Sequence, residues 1–101
     1  MIVEHAEFTV TEGRELEFEQ ALRTARSVVA RAPGFVWIEF ARGIERQSVY
    51  LVRIAWRSVD DHRKGFRESE LYQEWSALVR PLLSADPQVE HLEPRMNQFR
   101  G

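Results

Sequence analysis

The sequence predicts an α+β domain with the element order β-α-β-β-α-β, which is the ferredoxin-like sandwich of two helices on one four-stranded sheet. Two observations support this class. Segments with alternating apolar residues, typical of strands, occur near the start, the middle and the end of the chain. Between them, two longer segments repeat apolar residues every three or four positions, which is typical of amphipathic helices. At 101 residues the chain is long enough for one domain.

The first half of the chain predicts one strand, one helix and a second strand. Residues Ile2 to Val10 form the strand, with an apolar face of Ile2, Ala6, Phe8 and Val10. Arg14 to Ala32 form the helix, and Pro33-Gly34 ends it. Its apolar stripe contains Phe18, Ala21, Leu22, Ala25, Val28, Val29 and Ala32. Phe35 to Ala41 form the second strand.

The second half predicts the remaining strands and a divided helix. Ser48 to Trp56 form the third strand. Two helical pieces follow, split near Glu68-Ser69 and ended by Pro81, and Val89 to Leu92 form a short last strand. We therefore assign residues 1–94 to a single domain and residues 95–101 to a C-terminal tail.

One face of the predicted sheet has no helix to cover it. It carries Val3, Val49, Leu51 and Ala55, and the second strand adds either Phe35 and Trp37 or Val36 and Ile38. Small monomers rarely expose an apolar patch of this kind. We therefore expect a second copy to cover it as a homodimer. His5, Glu7 and Arg53 share this face and must pair or lie at its rim, because unpaired buried charge is costly.

Composition and charge restrict the class of function. The 14 basic and 16 acidic residues are interspersed and give a net charge of −2, which disfavours nucleic acid as a partner. No apolar run approaches the roughly 20 residues of a membrane span. The N-terminus does not resemble a signal peptide, so we expect a cytoplasmic protein without membrane attachment. The chain has no cysteine, which excludes disulfides and thiolate chemistry.

The candidate site lies between Trp56 and Trp75. A strand ends at Trp56, and His62, Phe66, Tyr72 and Trp75 follow at helical spacing, within reach of one small pocket. Val52 and Ile54 share the helix-facing side of the third strand with Trp56, and we include them among the candidate substrate contacts. The alternative is that all these side chains simply fill the core.

His62 and Glu4 are the candidates for proton transfer. His62 lies one turn into the helix that begins at Ser58, where Ser58 and Asp61 resemble a capping box. An imidazole that titrates near neutral pH can exchange a proton with a phenolic substrate. Glu4 is the one acidic residue on the apolar face of the first strand, and antiparallel pairing can bring it near Trp56 and His62. The alternatives are a solvated or capping histidine and a strand-end glutamate that reaches water.

The sequence favours neither a metal nor a nucleotide cofactor. His5 and His91 lie on neighbouring strands, but no His-x-His or His-x-x-x-His spacing occurs, so we interpret them as interface or rim residues. No glycine-rich phosphate loop is present. Arg63, Lys64 and Arg67 form a basic cluster that we interpret as a solvated helix face.

Three motifs together resemble the antibiotic biosynthesis monooxygenase (ABM) domain family. They are the strand-turn-helix from Phe8 to Arg14, the Pro33-Gly34-Phe35 step, and Trp56-x-Ser58 with its aromatic helix. The resemblance extends from about Ile2 to Glu93. It implies a dimeric α/β barrel, in which two ferredoxin-like subunits pack with their sheets face to face.

The resemblance also implies a class of chemistry. Some members are cofactor-independent oxygenases of aromatic polyketides, whose pocket uses a tryptophan, an asparagine, a tyrosine and an arginine. Trp56 matches the tryptophan, whereas Val52 stands at the asparagine position and His62 at the tyrosine position. The arginine position falls near Ser76.

A second branch of the family degrades haem. The haem-degrading residues correspond to Ala6, Phe66 and Trp75 or Ser76, none of which matches.

We therefore expect a cofactor-independent monooxygenase that acts on a small electron-rich aromatic, such as a quinol or a polyketide-like compound. In this interpretation His62 is the acid/base, Trp56 and Phe66 shape the pocket, Tyr72 orients the ligand, and Glu4 supports His62. The alternatives are a non-catalytic dimer that binds a small molecule and an oxygen-independent isomerase or cyclase that uses the same pocket.

Overall fold

A computed structural model describes residues 1–95 and residue 101, so residues 96–100 of the proposed tail lie outside the described part. The strands are β1 (Ile2–Thr9), β2 (Phe35–Arg42), β3 (Val49–Trp56) and β4 (Gln88–Leu92). The helices are α1 (Glu15–Val29), a π-helix at Asp61–Phe66, α2 (Glu70–Val79) and a 3₁₀ turn at Arg80–Leu82. The predicted ferredoxin-like α+β class is confirmed.

The four strands form one antiparallel sheet in the order β2-β3-β1-β4, so β1 lies between β3 and β4. Glu4 lies opposite Ile54 of β3 on one side and opposite His91 of β4 on the other. Residues directly opposite each other across neighbouring strands share a face of the sheet. The register therefore places Glu4 and His91 together on the face that the helices cover.

A β-bulge in β2 changes which of its residues face the helices. Phe35 pairs with Trp56 and Trp37 pairs with Ala55, so Val36 is the extra residue. A bulge of this kind reverses the alternation of side chains. As a result Phe35 and Ile38 pack against the core, and Trp37 lies on the open face beside Ala55. Neither of the two predicted alternatives for this strand is correct.

The core lies between the sheet and the two main helices. α1 contributes a fully buried stripe of Phe18, Leu22, Ala25 and Val29. It is shorter at both ends than the predicted span Arg14 to Ala32, because residues 30–32 form turns after the helix. Gly34 follows with φ of 87°, a backbone conformation that residues other than glycine rarely adopt.

The second helical region is divided as predicted, but its first part is a π-helix. The Ser58 hydroxyl accepts a hydrogen bond from the Asp61 backbone N–H at 3.1 Å, which is one half of the predicted capping box. The Arg67 N–H donates to the His62 carbonyl over five residues. The wider turn points both His62 and Phe66 into the core.

The open face of the sheet is apolar at its centre and charged at its margins. Val3 and Ala55 are buried, and Leu51 is half-buried. Arg53 pairs with Glu39 at 2.9 Å, and Glu7 pairs with Arg46 at 3.2 Å. Within residues 1–95, no helix is long and apolar enough to cross a membrane.

Candidate active site

A cavity of about 270 Å³ lies between the helix-facing side of the sheet, the π-helix and α2. Its walls combine aromatic, charged and titratable side chains. They are Glu4, Phe8, Ile54, His62, Phe66, Arg67, Tyr72, Trp75, Ser76, Val79, Arg80, Pro87 and Val89. The volume is slightly below the range of about 300 to 1,000 Å³ that holds drug-sized ligands, so it suits one or two aromatic rings.

The aromatic wall comes from the π-helix and α2. The ring of Phe66 packs edge-on against Tyr72 at 5.6 Å and against Trp75 at 6.4 Å, measured between ring centroids. Edge-on pairs of this kind hold each ring in a defined orientation. The wall is therefore rigid and presents flat apolar surface to a ligand.

Glu4 is a buried carboxyl group in this wall. Its Oε1 atom accepts a hydrogen bond from Trp56 Nε1–H at 3.0 Å and lies 3.2 Å from His62 Nε2. Burial raises the pKa of Glu4 to about 7, although the Trp56 hydrogen bond and the charge of Arg67 both lower it. A carboxyl group with a pKa near 7 can take up and release a proton at physiological pH.

His62 is buried beside Glu4, and both of its ring nitrogens are engaged. Nε2 faces Glu4, and Nδ1 lies 2.8 Å from His91 Nε2. Its ring stacks on Trp56 with 5.6 Å between centroids. The pKa of His62 is lowered to about 4, chiefly by burial and also by charge interactions with His91, Arg67 and Arg63. His62 is therefore neutral near pH 7.

Six of the eight sequence-predicted site residues line the cavity: Glu4, Ile54, His62, Phe66, Tyr72 and Trp75. The other two are fully buried behind the wall. Trp56 contacts Glu4 and His62 rather than the cavity, and Val52 lies in the core. The roles assigned to these eight residues stay predictions.

His91, Arg67 and Arg80 are residues of the site that the sequence did not reveal. The sequence predicts that His5 and His91 are interface or rim residues, but the two histidines lie on opposite faces of the sheet, because His91 pairs with Glu4 and His5 pairs with Glu90. The signal that could have placed His91 is the β1–β4 register, which sets it opposite Glu4. Arg67 is exposed, as the predicted solvated helix face requires, and its guanidinium also lies 5.3 Å from the Tyr72 ring centroid, at the cavity.

The three titratable side chains do not form a metal site. The nitrogens of His62 point toward Glu4 and His91 in a line, and they do not converge on one point. Throughout the described residues, no group of three or more His, Cys, Asp or Glu side chains could hold a metal ion. The arrangement is instead a row of polar groups that begins at the cavity. Trp56–Glu4 and His62–His91 are hydrogen-bonded, and Glu4 Oε1 and His62 Nε2 lie 3.2 Å apart.

Comparison with known proteins identifies the family. The sequence model of the antibiotic biosynthesis monooxygenase family matches residues 1–78. The uncharacterized protein YczJ of Bacillus subtilis (strain 168) is 36% identical over 93 residues, covering 92% of this chain and 98% of that protein. The chain therefore belongs to the antibiotic biosynthesis monooxygenase family.

Solved structures agree with this family and with the fold. A candidate antibiotic biosynthesis monooxygenase from Bordetella bronchiseptica is 36% identical, with a TM-score of 0.92 over 94% of this chain and 97% of that one. SnoaB, a cofactor-independent oxygenase from Streptomyces nogalater, is 22% identical, with a TM-score of 0.79 over 95% of this chain and 94% of that one. At this identity the similarity to SnoaB concerns the fold alone.

Proposed function

We propose that this protein is a cofactor-independent monooxygenase of a small phenolic aromatic, and that Glu4 is the base that ionises the phenol. The observation that carries the proposal is a buried carboxyl group with a pKa of about 7 in the wall of an aromatic cavity. Membership of the antibiotic biosynthesis monooxygenase family supports the reaction class.

Geometry favours Glu4 over His62 as the group that meets the ligand. Both His62 nitrogens are engaged by Glu4 and His91. The Oε1 atom of Glu4 is engaged by Trp56 and His62, whereas Oε2 takes no hydrogen bond from residues 1–95. Since Glu4 lines the cavity, Oε2 is the atom of this cluster that is available to a phenolic hydroxyl group.

The reaction needs an electron-rich anion and molecular oxygen as co-substrate. Glu4 takes the hydroxyl proton, and the phenolate passes one electron to O₂, which gives a phenoxyl radical and superoxide. The two radicals combine at a ring carbon, and the resulting peroxide takes the proton back from Glu4. Loss of the ring hydrogen and cleavage of the O–O bond then leave a quinone carbonyl and one water molecule.

Two further features of the cavity support an anionic intermediate. Arg67 and Arg80 line the same cavity as Glu4, and a nearby positive charge favours the ionised form of a phenol. The aromatic wall of Phe66, Tyr72 and Trp75 offers flat surface for stacking the ring. The ligand is therefore held with its hydroxyl group toward Glu4 and within the field of the two arginines.

We also propose that the active form is a homodimer through the open sheet face. His5 Nδ1 and Arg53 Nε are buried on this face and have no hydrogen-bond partner among the described residues. Buried polar atoms normally have a partner. A second copy packed on the apolar centre around Trp37 and Leu51 would shield that surface and could supply these partners.

The test uses metal-free protein, 1-naphthol and ¹⁸O₂. The expected product is 1,4-naphthoquinone with one labelled oxygen atom, while the second labelled atom leaves as water. Glu4→Gln, which cannot accept the proton, should lower the rate by about 10²- to 10⁴-fold. Glu12→Gln makes the same chemical change at an exposed turn and should leave the rate unchanged.

The same experiment separates the alternatives. Binding of naphthols and quinols without oxygen uptake would replace this proposal with a non-catalytic binding dimer. Turnover that proceeds equally well without oxygen would replace it with an isomerase or cyclase. Equal rates for the wild type and Glu4→Gln would remove Glu4 as the base.

A further inference from the structure

We propose that Glu4, His62 and His91 form a proton relay, in which the protonation state of the buried Glu4 is transmitted through the ring of His62 to His91 on the edge strand β4. The proposal goes beyond the proposed reaction, because the relay operates in the protein without any ligand. His91 acts through His62 and does not touch the cavity, so it is a positioning residue.

The geometry gives a continuous path of two short contacts. Glu4 Oε1 lies 3.2 Å from His62 Nε2, and His62 Nδ1 lies 2.8 Å from His91 Nε2. Trp56 Nε1–H fixes the near end by donating to Glu4 Oε1 at 3.0 Å. At the far end, the half-buried His91 lies on an edge strand, where its ring can exchange protons with solvent.

When both rings are neutral, only two sets of hydrogen bonds can link Glu4, His62 and His91. A neutral imidazole has one N–H donor and one acceptor nitrogen. When Glu4 is protonated, its O–H donates to His62 Nε2, and His62 Nδ1–H donates to His91 Nε2. When Glu4 is ionised, His62 Nε2–H donates to the carboxylate, and His91 Nε2–H donates to His62 Nδ1.

Passing from the first arrangement to the second moves one proton at each step. The proton of Glu4 goes to His62 Nε2, the proton of His62 Nδ1 goes to His91 Nε2, and the proton of His91 Nδ1 leaves to solvent. The net result is the loss of one proton from Glu4, although the proton that is released comes from the surface end. The buried carboxyl group thereby has a route to water through β4 that does not pass through the cavity.

The charges around the path keep His62 from retaining a proton. His62 faces Glu4 from β1 and His91 from β4, while Arg63 in the same π-helix and Arg67 just after it add positive charge. Burial, together with the same two arginines, also lowers the pKa of His91. A positively charged imidazole at His62 is therefore unfavourable, so a proton that reaches this ring from one side must leave from the other.

Nitrogen NMR of the histidine rings tests the relay in ligand-free protein. The chain has three histidines, and the ¹⁵N shifts of their rings distinguish the two neutral tautomers. On raising the pH from about 5.5 to about 8.5, His62 and His91 should change tautomer together, with one midpoint close to the pKa of Glu4, near 7. His5, on the opposite face of the sheet, serves as the internal control, because its ring signals should be the same in the wild type and in Glu4→Gln.

Glu4→Gln should abolish the joint transition, because the Gln carbonyl group can accept from His62 Nε2–H at every pH. Glu12→Gln should leave it unchanged. Separate midpoints for His62 and His91, or a single fixed tautomer of His62 in the wild type, would overturn the relay even if the variant fails to fold. Failure of the relay leaves the oxygenase proposal standing, since that proposal is measured by ¹⁸O incorporation.

Discussion

The buried Glu4–His62 pair makes two opposite contributions to the pH dependence of folding. Glu4 titrates near pH 7 in the folded protein instead of near 4.5, so its contribution to stability is full below about pH 4.5 and is lost as the pH rises to about 7. His62 titrates near pH 4 instead of near 6.5, so its contribution is full above about pH 6.5 and is lost as the pH falls toward 4.

Each of these two pKa shifts corresponds to about 3 kcal/mol in the free energy of unfolding. In the wild type the two contributions nearly cancel between about pH 4.5 and pH 6.5, because one falls while the other rises. Glu4→Gln removes the contribution of Glu4. The free energy of unfolding of the variant, relative to that of the wild type, should therefore rise by about 3 kcal/mol as the pH increases from about 4.5 to about 6.5. His62→Gln removes the contribution of His62, so the free energy of unfolding of this variant, relative to that of the wild type, should fall by a similar amount as the pH increases over the same interval.

Urea unfolding followed by tryptophan fluorescence at several pH values from about 4 to about 8.5 measures these differences. Glu12→Gln is the matched control, because its exposed carboxyl group should leave the curve parallel to that of the wild type. Parallel curves for the wild type, Glu4→Gln and His62→Gln would refute the reasoning, since they would mean that burial does not displace either pKa.

Two further predictions concern the scaffold. Gly34→Ala should lower the free energy of unfolding by about 1 to 3 kcal/mol, because it combines a φ of 87° with a contact between the new Cβ and the Asp61 side chain. Gly13→Ala has a similar φ of 91° but open space around the Cβ, so a smaller loss in urea unfolding is expected, and equal losses would exclude the Asp61 contact as a cause. Trp37→Glu should convert the proposed homodimer to a monomer in sedimentation velocity at micromolar concentration, because it places a charge in the apolar centre of the open face. A wild-type monomer, or a variant that remains dimeric, would contradict the proposed interface.

The order of elements could be predicted because local sequence determines it. The apolar stripe of α1, the Pro33-Gly34 stop and the Ser58 cap each act within a few residues of chain. The position of Glu4 near His62 could also be anticipated, since an acidic residue on an apolar strand face has to find a partner. These features depend on periodicity and capping, and both are visible in the sequence.

The remaining features depend on tertiary pairing. The bulge at Val36 appears only when β2 is matched against β3, and it determines that Trp37 rather than Phe35 lies on the open face. His91 joins the site through the β1–β4 register, which a strand of five residues with mixed apolar and polar side chains does not specify. The engagement of both His62 nitrogens, which shifts the proposed base to Glu4, also depends on that register.

Removal of a proton from a bound phenol by Glu4 is tested most directly by the absorption spectrum of bound 4-nitrophenol, whose ionised form is yellow, measured together with the uptake of protons on binding. At about pH 8, above the pKa of about 7 for Glu4, both the dissolved compound and the carboxyl group are mainly ionised. Binding to the wild type should take up about one proton per ligand while the ligand stays yellow, because the shared proton lies on Glu4, whereas binding to Glu4→Gln should take up none. Loss of the yellow band or absence of proton uptake in the wild type, or equal uptake by the variant, would contradict this role of Glu4.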